Sequence, residues 1–198
     1  MAEAAVNFAR RRAPPRPLYK SVFDALVFLA ALVIVMLALD QAGVFTPQTG
    51  IFIAVDGDSL RRGDRSFRLH GIDAPELHQS CVNKMGGDYP CGQNAKRALS
   101  DLVRGQTLSC TPRDTDRYGR IVARCSVGRL DINAEMVRLG WAIAYVKHSA
   151  AYLDEEMEAR KSKRGVWQGR FEIPETWRNS HRRELQQGGM TAADAMLD

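Results

Sequence analysis

Short apolar and β-branched runs, each ended by an acidic or glycine turn, succeed one another from Ile51 to Val127 and confine this part of the chain to a small, tightly turned sheet. Ile51–Val55 stops at Asp56-Gly57, and Ser59–Arg62 and Arg65–His70 flank Gly63-Asp64. Gln106–Thr111 and Arg120–Val127 lie on either side of an Arg113–Gly119 turn. Gly-Asp and Asp-Gly between such runs are hairpin signals. Helical patterns alternate with them. Ala95, Ala98, Leu99, Leu102 and Val103 share one face of a predicted helix over Gln93–Arg104, which Gly105 is placed to stop. Asp131 can cap a short helix ending near Gly140. Ala144–Val146 reads as a brief extended piece, and Ala150–Lys163 as a charged amphipathic helix ending at Gly165. Five short strands with interspersed helices suggest a small barrel with helices on one side, although periodicity alone leaves the barrel open.

Upstream of the first strand the composition changes. Residues 1–21 hold Arg10, Arg11, Arg12, Arg16 and Lys20 against Glu3 alone. Val22 to Leu39 follow as 18 residues broken only by Asp24. A bilayer crossing takes about 20 apolar residues, and positive charge before the span keeps the N-terminus inside. This predicts a signal anchor over 22–39, a cytoplasmic basic segment over 1–21 and a linker over 40–50, with the remainder on the periplasmic or extracellular side. A cleaved signal peptide is the rival reading, and either one exports the domain. Asp40-Gln41-Ala42 offers no clear small-residue cleavage site. Without residues 1–42 the chain keeps 23 basic and 20 acidic residues, so the net charge of +5 falls to +3 and charge alone says little about a nucleic-acid partner.

The cysteines agree with export. Cys81 and Cys91 bracket a Gly-Gly loop, and Cys110 and Cys125 lie across the Arg113–Gly119 turn. Zinc-type spacing is absent, so two disulfides are expected in an oxidising compartment. The alternative is four half-buried free thiols.

Chemistry concentrates in three segments: Val55-Asp56-Gly57-Asp58-Ser59, Phe67 through Glu76 (Arg68-Leu69-His70-Gly71-Ile72-Asp73-Ala74-Pro75-Glu76), and Thr115-Asp116-Arg117-Tyr118-Gly119-Arg120. They supply carboxylates for a hard cation and its water, and two arginines for a phosphate. Hydrolysis of a phosphodiester needs that combination. Taken in this order, from about Ile51 to Trp177, the segments resemble the staphylococcal-nuclease-like (thermonuclease) family. The resemblance implies an α+β fold, a five-stranded OB-fold β-barrel with about three packed helices, here over residues 51–180. It is preceded by the N-terminal transmembrane helix and followed by a flexible tail over 181–198.

By the same resemblance, Asp58, Asp73 and the main-chain carbonyl of Ala74 match the family's Ca²⁺ ligands. Ca²⁺ accepts flexible all-oxygen coordination. Glu76 matches the carboxylate that orients or deprotonates the attacking water, and Arg68 and Arg120 match the arginines that hold the scissile phosphate. Guanidinium suits that task because its donors engage two phosphate oxygens at once. Tyr118, Tyr145 and Arg117 fall at the substrate rim, where aromatic faces stack bases without reading sequence. Lys147 stands where some members carry a second tyrosine. Taken alone, Asp56 and Asp58 could be turn formers, Glu76 a helix-start carboxylate, either arginine a surface residue, and Tyr145 a core tyrosine. His70, His78, His148 and His181 show no ligand spacing, and Trp141, Trp167 and Trp177 read as packing residues.

The predicted activity is that of a hydrolase, a Ca²⁺-dependent, membrane-anchored endonuclease acting as a monomer on DNA or RNA. Single-stranded regions are the preferred substrate, and 3′-phosphorylated products are implied. A non-catalytic nucleic-acid-binding or envelope scaffold of the same fold is the alternative, since fold does not fix function. A third possibility is an enzyme or accessory acting on an acidic polysaccharide at the cell envelope.

Overall fold

A computed structural model describes residues 18–41, 46–147 and 149–181. The chain divides into two units, Met1–Val44 and Phe45–Asp198. Within the first, the described part is one helix, α1 (Leu18–Gln41), whose side chains over residues 22–38 are all exposed. Among the described residues no helix is long and apolar enough to cross a membrane. The predicted span over 22–39 is therefore not established by α1. Between Asp24 and Asp40 its uncharged run is 15 residues, short of the roughly 20 a bilayer takes.

The second unit begins with β1 (Gln48–Gly50), β2 (Ile53–Ala54), β3 (Ser59–Arg62), β4 (Arg65–Leu69) and β5 (Ile72–Asp73). A small hairpin follows, β6 (Cys81–Val82) and β7 (Asp88–Tyr89), and then helix α2 (Cys91–Val103). β8 (Leu108–Thr115), β9 (Ile121–Val127) and β10 (Leu130–Asp131) lead into α3 (Ile132–Arg138). β11 (Ile143–Ala144), α4 (Leu153–Lys161), a 3-10 turn (Gly165–Gln168) and a last helix, α5 (residues 174–181), complete the order.

The main sheet runs β1-β8-β9-β4-β3-β2, with β10 added beside β9. Every pairing in it is antiparallel except β4 with β9, where Arg68 faces Val122. The two ends of that path, Gly50 of β1 and Ile53 of β2, are neighbours in sequence, so about 11 Å is the most that can separate them. Six strands laid flat would hold their outer members about 24 Å apart. The sheet must therefore curl until its edges meet. With β1 and β2 counted as one strand bent at Ile51-Phe52, the barrel has the five predicted strands.

Leu60, Phe67, Leu69 and Leu108 fill the interior, and the Phe52 and Phe67 rings meet edge to face at 5.0 Å. Ala95, Leu99 and Val103 recur at helical spacing and turn one side of α2 into this core. Gly105, at φ +70°, ends the segment as its position suggests. Asp131 caps α3 by accepting from the Ala134 N–H at 3.2 Å. Asn133 on α3 is fully buried and donates to the carbonyls of His70 and Ala123 while accepting from the Cys125 N–H. That amide fastens α3 to β9 and to the end of β4.

Both expected disulfides are present. Cys110 and Cys125 are register partners on β8 and β9, and Cys81 and Cys91 join the hairpin to the start of α2. Several features differ from the sequence reading. β1 lies within the predicted linker over 40–50, the Gly-Gly loop is flanked by the β6–β7 hairpin, and β8 runs on to Thr115, into the predicted Arg113–Gly119 turn. α2 starts at Cys91 rather than Gln93, α4 starts at Leu153 rather than Ala150, and residues 174–181, unassigned by periodicity, are helical. Pro174 at the first turn is the one local signal for that helix. The predicted tail overlaps it at His181, and 182–198 lie outside the described residues.

The Cys110–Cys125 bridge closes a loop of 15 residues, and chain-entropy reasoning gives such a loop about 3 kcal/mol. Urea unfolding of a Cys110→Ala/Cys125→Ala variant should show a loss near that size. An unchanged midpoint would mean that the β8–β9 ladder alone sets the stability of this region.

Candidate active site

Asp58 follows a turn that its neighbour builds, because its own N–H donates to Asp56 Oδ1 at 3.0 Å. One residue later β3 begins, and Ser59 is the register partner of Arg68 on β4. β5 brings Asp73 alongside by pairing with β11, where Asp73 faces Ile143. Three strands thus deliver Asp58, Arg68 and Asp73 to one place. Asp58 is 4% exposed and Asp73 is fully buried.

Arg68 joins the two carboxylates. Its Nη1 donates to Asp58 Oδ1 at 3.0 Å and its Nη2 to Asp73 Oδ1 at 2.8 Å. The other Asp58 oxygen accepts from the Ala74 N–H at 3.1 Å, and Ser59 Oγ donates to Oδ1 at 3.1 Å. Small residues make the approach possible. A Cβ on Gly57 would stand 2.7 Å from the Cβ atoms of Ala74 and Ala95.

Glu76 is held by its backbone and by its side chain. Its N–H donates to Gln79 Oε1 at 3.1 Å, its carbonyl accepts from the Gln79 N–H at 2.7 Å, and Gln79 Nε2 reaches the carbonyl of Glu172 at 2.7 Å. Gly92 lets this loop rest on the start of α2, since a Cβ there would fall 1.7 Å from the Glu76 carbonyl oxygen. The Glu76 side chain meets a residue that the motifs do not contain. Arg178 Nη1 on α5 donates to Glu76 Oε1 at 2.6 Å, and the same guanidinium grips Asp73 Oδ1 and Oδ2, both at 3.0 Å.

Burial raises the Asp58 carboxyl to about 7, and Arg68 pulls the other way without prevailing. Burial disfavours the Arg68 charge, yet Asp58 and Asp73 outweigh it and hold the guanidinium above its ordinary value. When Asp58 is ionised, three carboxylates, Asp58, Asp73 and Glu76, face two guanidiniums, Arg68 and Arg178, with one negative charge left over. Among the described residues no three His, Cys, Asp or Glu side chains form a metal cluster by themselves. Two buried carboxylates with excess negative charge and oxygen-only donors do fit a hard divalent cation, with Asp58, Asp73 and the Ala74 carbonyl to hold it.

The third segment stands slightly apart. Arg120 precedes β9 and lies two positions before Val122, the register partner of Arg68, which is about 7 Å along the strand. Its side chain is bonded to Asp116, Nε to Oδ2 at 2.7 Å, not to the carboxylate pair. Asp116 is a turn residue, as the sequence suggested, and also accepts from the N–H groups of Tyr118 and Arg120. Burial raises its carboxyl, but those hydrogen bonds win and hold it below the usual range. The Tyr118 ring is exposed and lies under both arginines of its turn, 4.9 Å from the Arg117 guanidinium and 5.6 Å from that of Arg120. Beside it a cavity of about 420 Å³ is lined by Arg65, Ser66, Tyr118, Arg120 and neighbours. Tyr145 is half-buried just past β11, its N–H donating to the Gly71 carbonyl at 2.9 Å. Lys147 is tied to Glu175 of α5 at 2.7 Å. His148 lies outside the described residues.

Fold and site together define a hydrolase of the nuclease type, an OB-like barrel bearing a carboxylate–arginine centre. The sequence model of the family described as "Staphylococcal nuclease homologue" matches residues 66–169. The chain belongs to that family. It is 28% identical over 173 residues to the "Succinoglycan biosynthesis protein ExoI" of Rhizobium meliloti (strain 1021), covering 86% of this chain and 90% of that protein. It is 33% identical over 135 residues to an "Uncharacterized endonuclease" of Haemophilus influenzae, covering 64% of this chain and 70% of the relative. A rice protein (Oryza sativa subsp. japonica) named "Probable staphylococcal-like nuclease CAN2" is 32% identical over 152 residues, which span 75% of this chain but 37% of its own length.

Asp58 gives the metal-free protein a pH signature. Its acid is raised from 3.8 to about 7 on folding, so the folded state holds the extra proton between those values. The stabilisation is complete below about 4 and is lost as pH rises through about 7. In chelator, the Tm of the wild-type chain should fall from pH 5 to pH 8 more than that of Asp58→Asn. Parallel curves would show that Asp58 titrates normally.

Proposed function

We propose that this chain is a Ca²⁺-dependent endonuclease that hydrolyses phosphodiester bonds of DNA or RNA and leaves 3′-phosphorylated ends. The observation that carries the reading is Arg68 bridging two buried carboxylates beside Glu76. Bound Ca²⁺ would polarise the phosphoryl group and lower the pKa of a water. Two bonds occupy Arg68, leaving further N–H donors of the guanidinium's five for a phosphate oxygen. Arg120, oriented through its Nε by Asp116, presents its terminal nitrogens to the charge that grows in the transition state. Glu76 orients the water for in-line attack and takes its proton at the carboxylate. The 5′-oxygen–phosphorus bond breaks and the proton balance is restored on the leaving 5′-hydroxyl. Tyr118 and Tyr145 offer ring faces to unstacked bases, which favours single-stranded or frayed substrate.

The same proposal places the enzyme at a membrane as a monomer, its catalytic unit on the outer side. Support comes from the sequence alone, in the basic residues between 10 and 20 and the apolar run Val22–Leu39. Two disulfides suit an exported domain.

A second reading has its own observation. The relative that spans 90% of its own length against this chain is named for succinoglycan biosynthesis. That favours the alternative in which the barrel serves polysaccharide biosynthesis.

Hydrolysis of single-stranded DNA by the full-length chain, with Glu76→Gln beside it, separates the two. The nuclease reading expects 3′-phosphate ends and a loss of about 10²–10⁴ in kcat for the variant. Depolymerisation of an acidic polysaccharide in place of DNA, or DNA binding without cleavage, would contradict it.

A further inference from the structure

The predicted site residues all precede residue 146, and the family match ends at 169. Beyond that limit α5 returns to the centre. Its Arg178 makes a two-point bond to the fully buried Asp73 and a third bond, at 2.6 Å, to Glu76. Two further ties bring the same segment to the same place. Gln79, which accepts from the Glu76 N–H, donates to the Glu172 carbonyl at 2.7 Å, and Lys147 holds Glu175.

The Glu76 carboxylate has its other restraints only through the backbone. Pro75 and Gln79 fix where its main chain runs, but its side chain is about one-third exposed and has three torsions to settle. Among the described residues, Arg178 is the one side-chain partner of that carboxylate. It engages Oε1 and leaves Oε2 for a water. Because the same guanidinium holds both oxygens of Asp73, it also sets the separation between a metal carboxylate and the base. A lysine could not do this, since an ammonium is a point charge without the planar fork.

We infer that Arg178 is a positioning residue of the hydrolytic reaction, clamping Glu76 to Asp73 and making the C-terminal helix part of the active centre. The role rests on the nuclease reading of the site. It differs from simple support in a way that can be measured. Removing one positive charge beside Asp73 favours a divalent cation there, whereas freeing Glu76 impairs turnover. Metal affinity and kcat should therefore move in opposite directions.

The test uses the full-length chain as wild type, Arg178→Ala and Arg178→Lys, with kcat and KM on single-stranded DNA, Ca²⁺ affinity by calorimetry and Tm. The expected result is a fall in kcat of about ten-fold or more in both variants, with KM changed by less than about three-fold. Ca²⁺ should bind Arg178→Ala as tightly as wild type or more tightly. Full rescue by lysine, unchanged kcat, or a joint fall of kcat, Ca²⁺ affinity and Tm would overturn the positioning role while leaving the nuclease intact. No hydrolysis by the wild type would overturn the nuclease reading and this role with it.

Discussion

Two carboxylates placed side by side in the wall of a small barrel are the constraint to which the rest of this structure answers. Asp58 and Asp73 are almost without solvent, and a buried charge is tolerated only when it is paired and hydrogen-bonded. Arg68 supplies one cation to both, and Arg178 supplies a second to Asp73. With Asp58 ionised the balance is still short of positive charge, and burial raises its carboxyl to about 7. Replacing the pair by apolar residues would often cost nothing in stability, while removing one partner alone costs about 3–5 kcal/mol. A network kept in this state is better explained by what it binds than by what it stabilises. Under the proposed function, a hard cation and a phosphate together would balance the charge and accept the remaining donors.

The barrel exists in the form it does so that these groups can meet. Its edges are neighbours in sequence, which forces curvature, and curvature brings the ends of β3, β4 and β5 to one mouth. Gly57 and Gly92 then admit close neighbours, Ala74 and Ala95 at the first and the Glu76 carbonyl at the second, where an added Cβ would collide. α3 is pinned to β9 by Asn133, which accepts from the Cys125 N–H, and the disulfide from that same Cys125 fastens β9 to β8. The side chains of the candidate site are thus borne on strands or on loops with several independent ties. This is the setting that a preorganised electrostatic site requires.

Much of this is legible in the sequence. Strand runs ended by Asp56-Gly57 and Gly63-Asp64 carry local signals, and so does the α2 face at Ala95, Leu99 and Val103. Asp58, Arg68, Asp73 and Glu76 could be named because they sit in compact motifs whose spacing is set by strand ends. Arg178 could not. It lies 102 positions from Glu76 in a segment with no periodic pattern, and only the tertiary path of α5 brings it back. Gln79 and Asn133 escaped for the same reason, since a buried amide that ties distant carbonyls leaves no mark on its neighbours in sequence. Arg120 is legible as a member of the third segment, but its lock on Asp116 is a product of the folded turn.

Calorimetric titration of the full-length chain with Ca²⁺ at neutral pH, beside Asp58→Asn, bears on the central claim most directly. A carboxylate pair short of positive charge requires one Ca²⁺ per chain in the wild type and its loss in the variant. Equal binding by both, or none by the wild type, would contradict a metal-assisted site at Asp58 and Asp73.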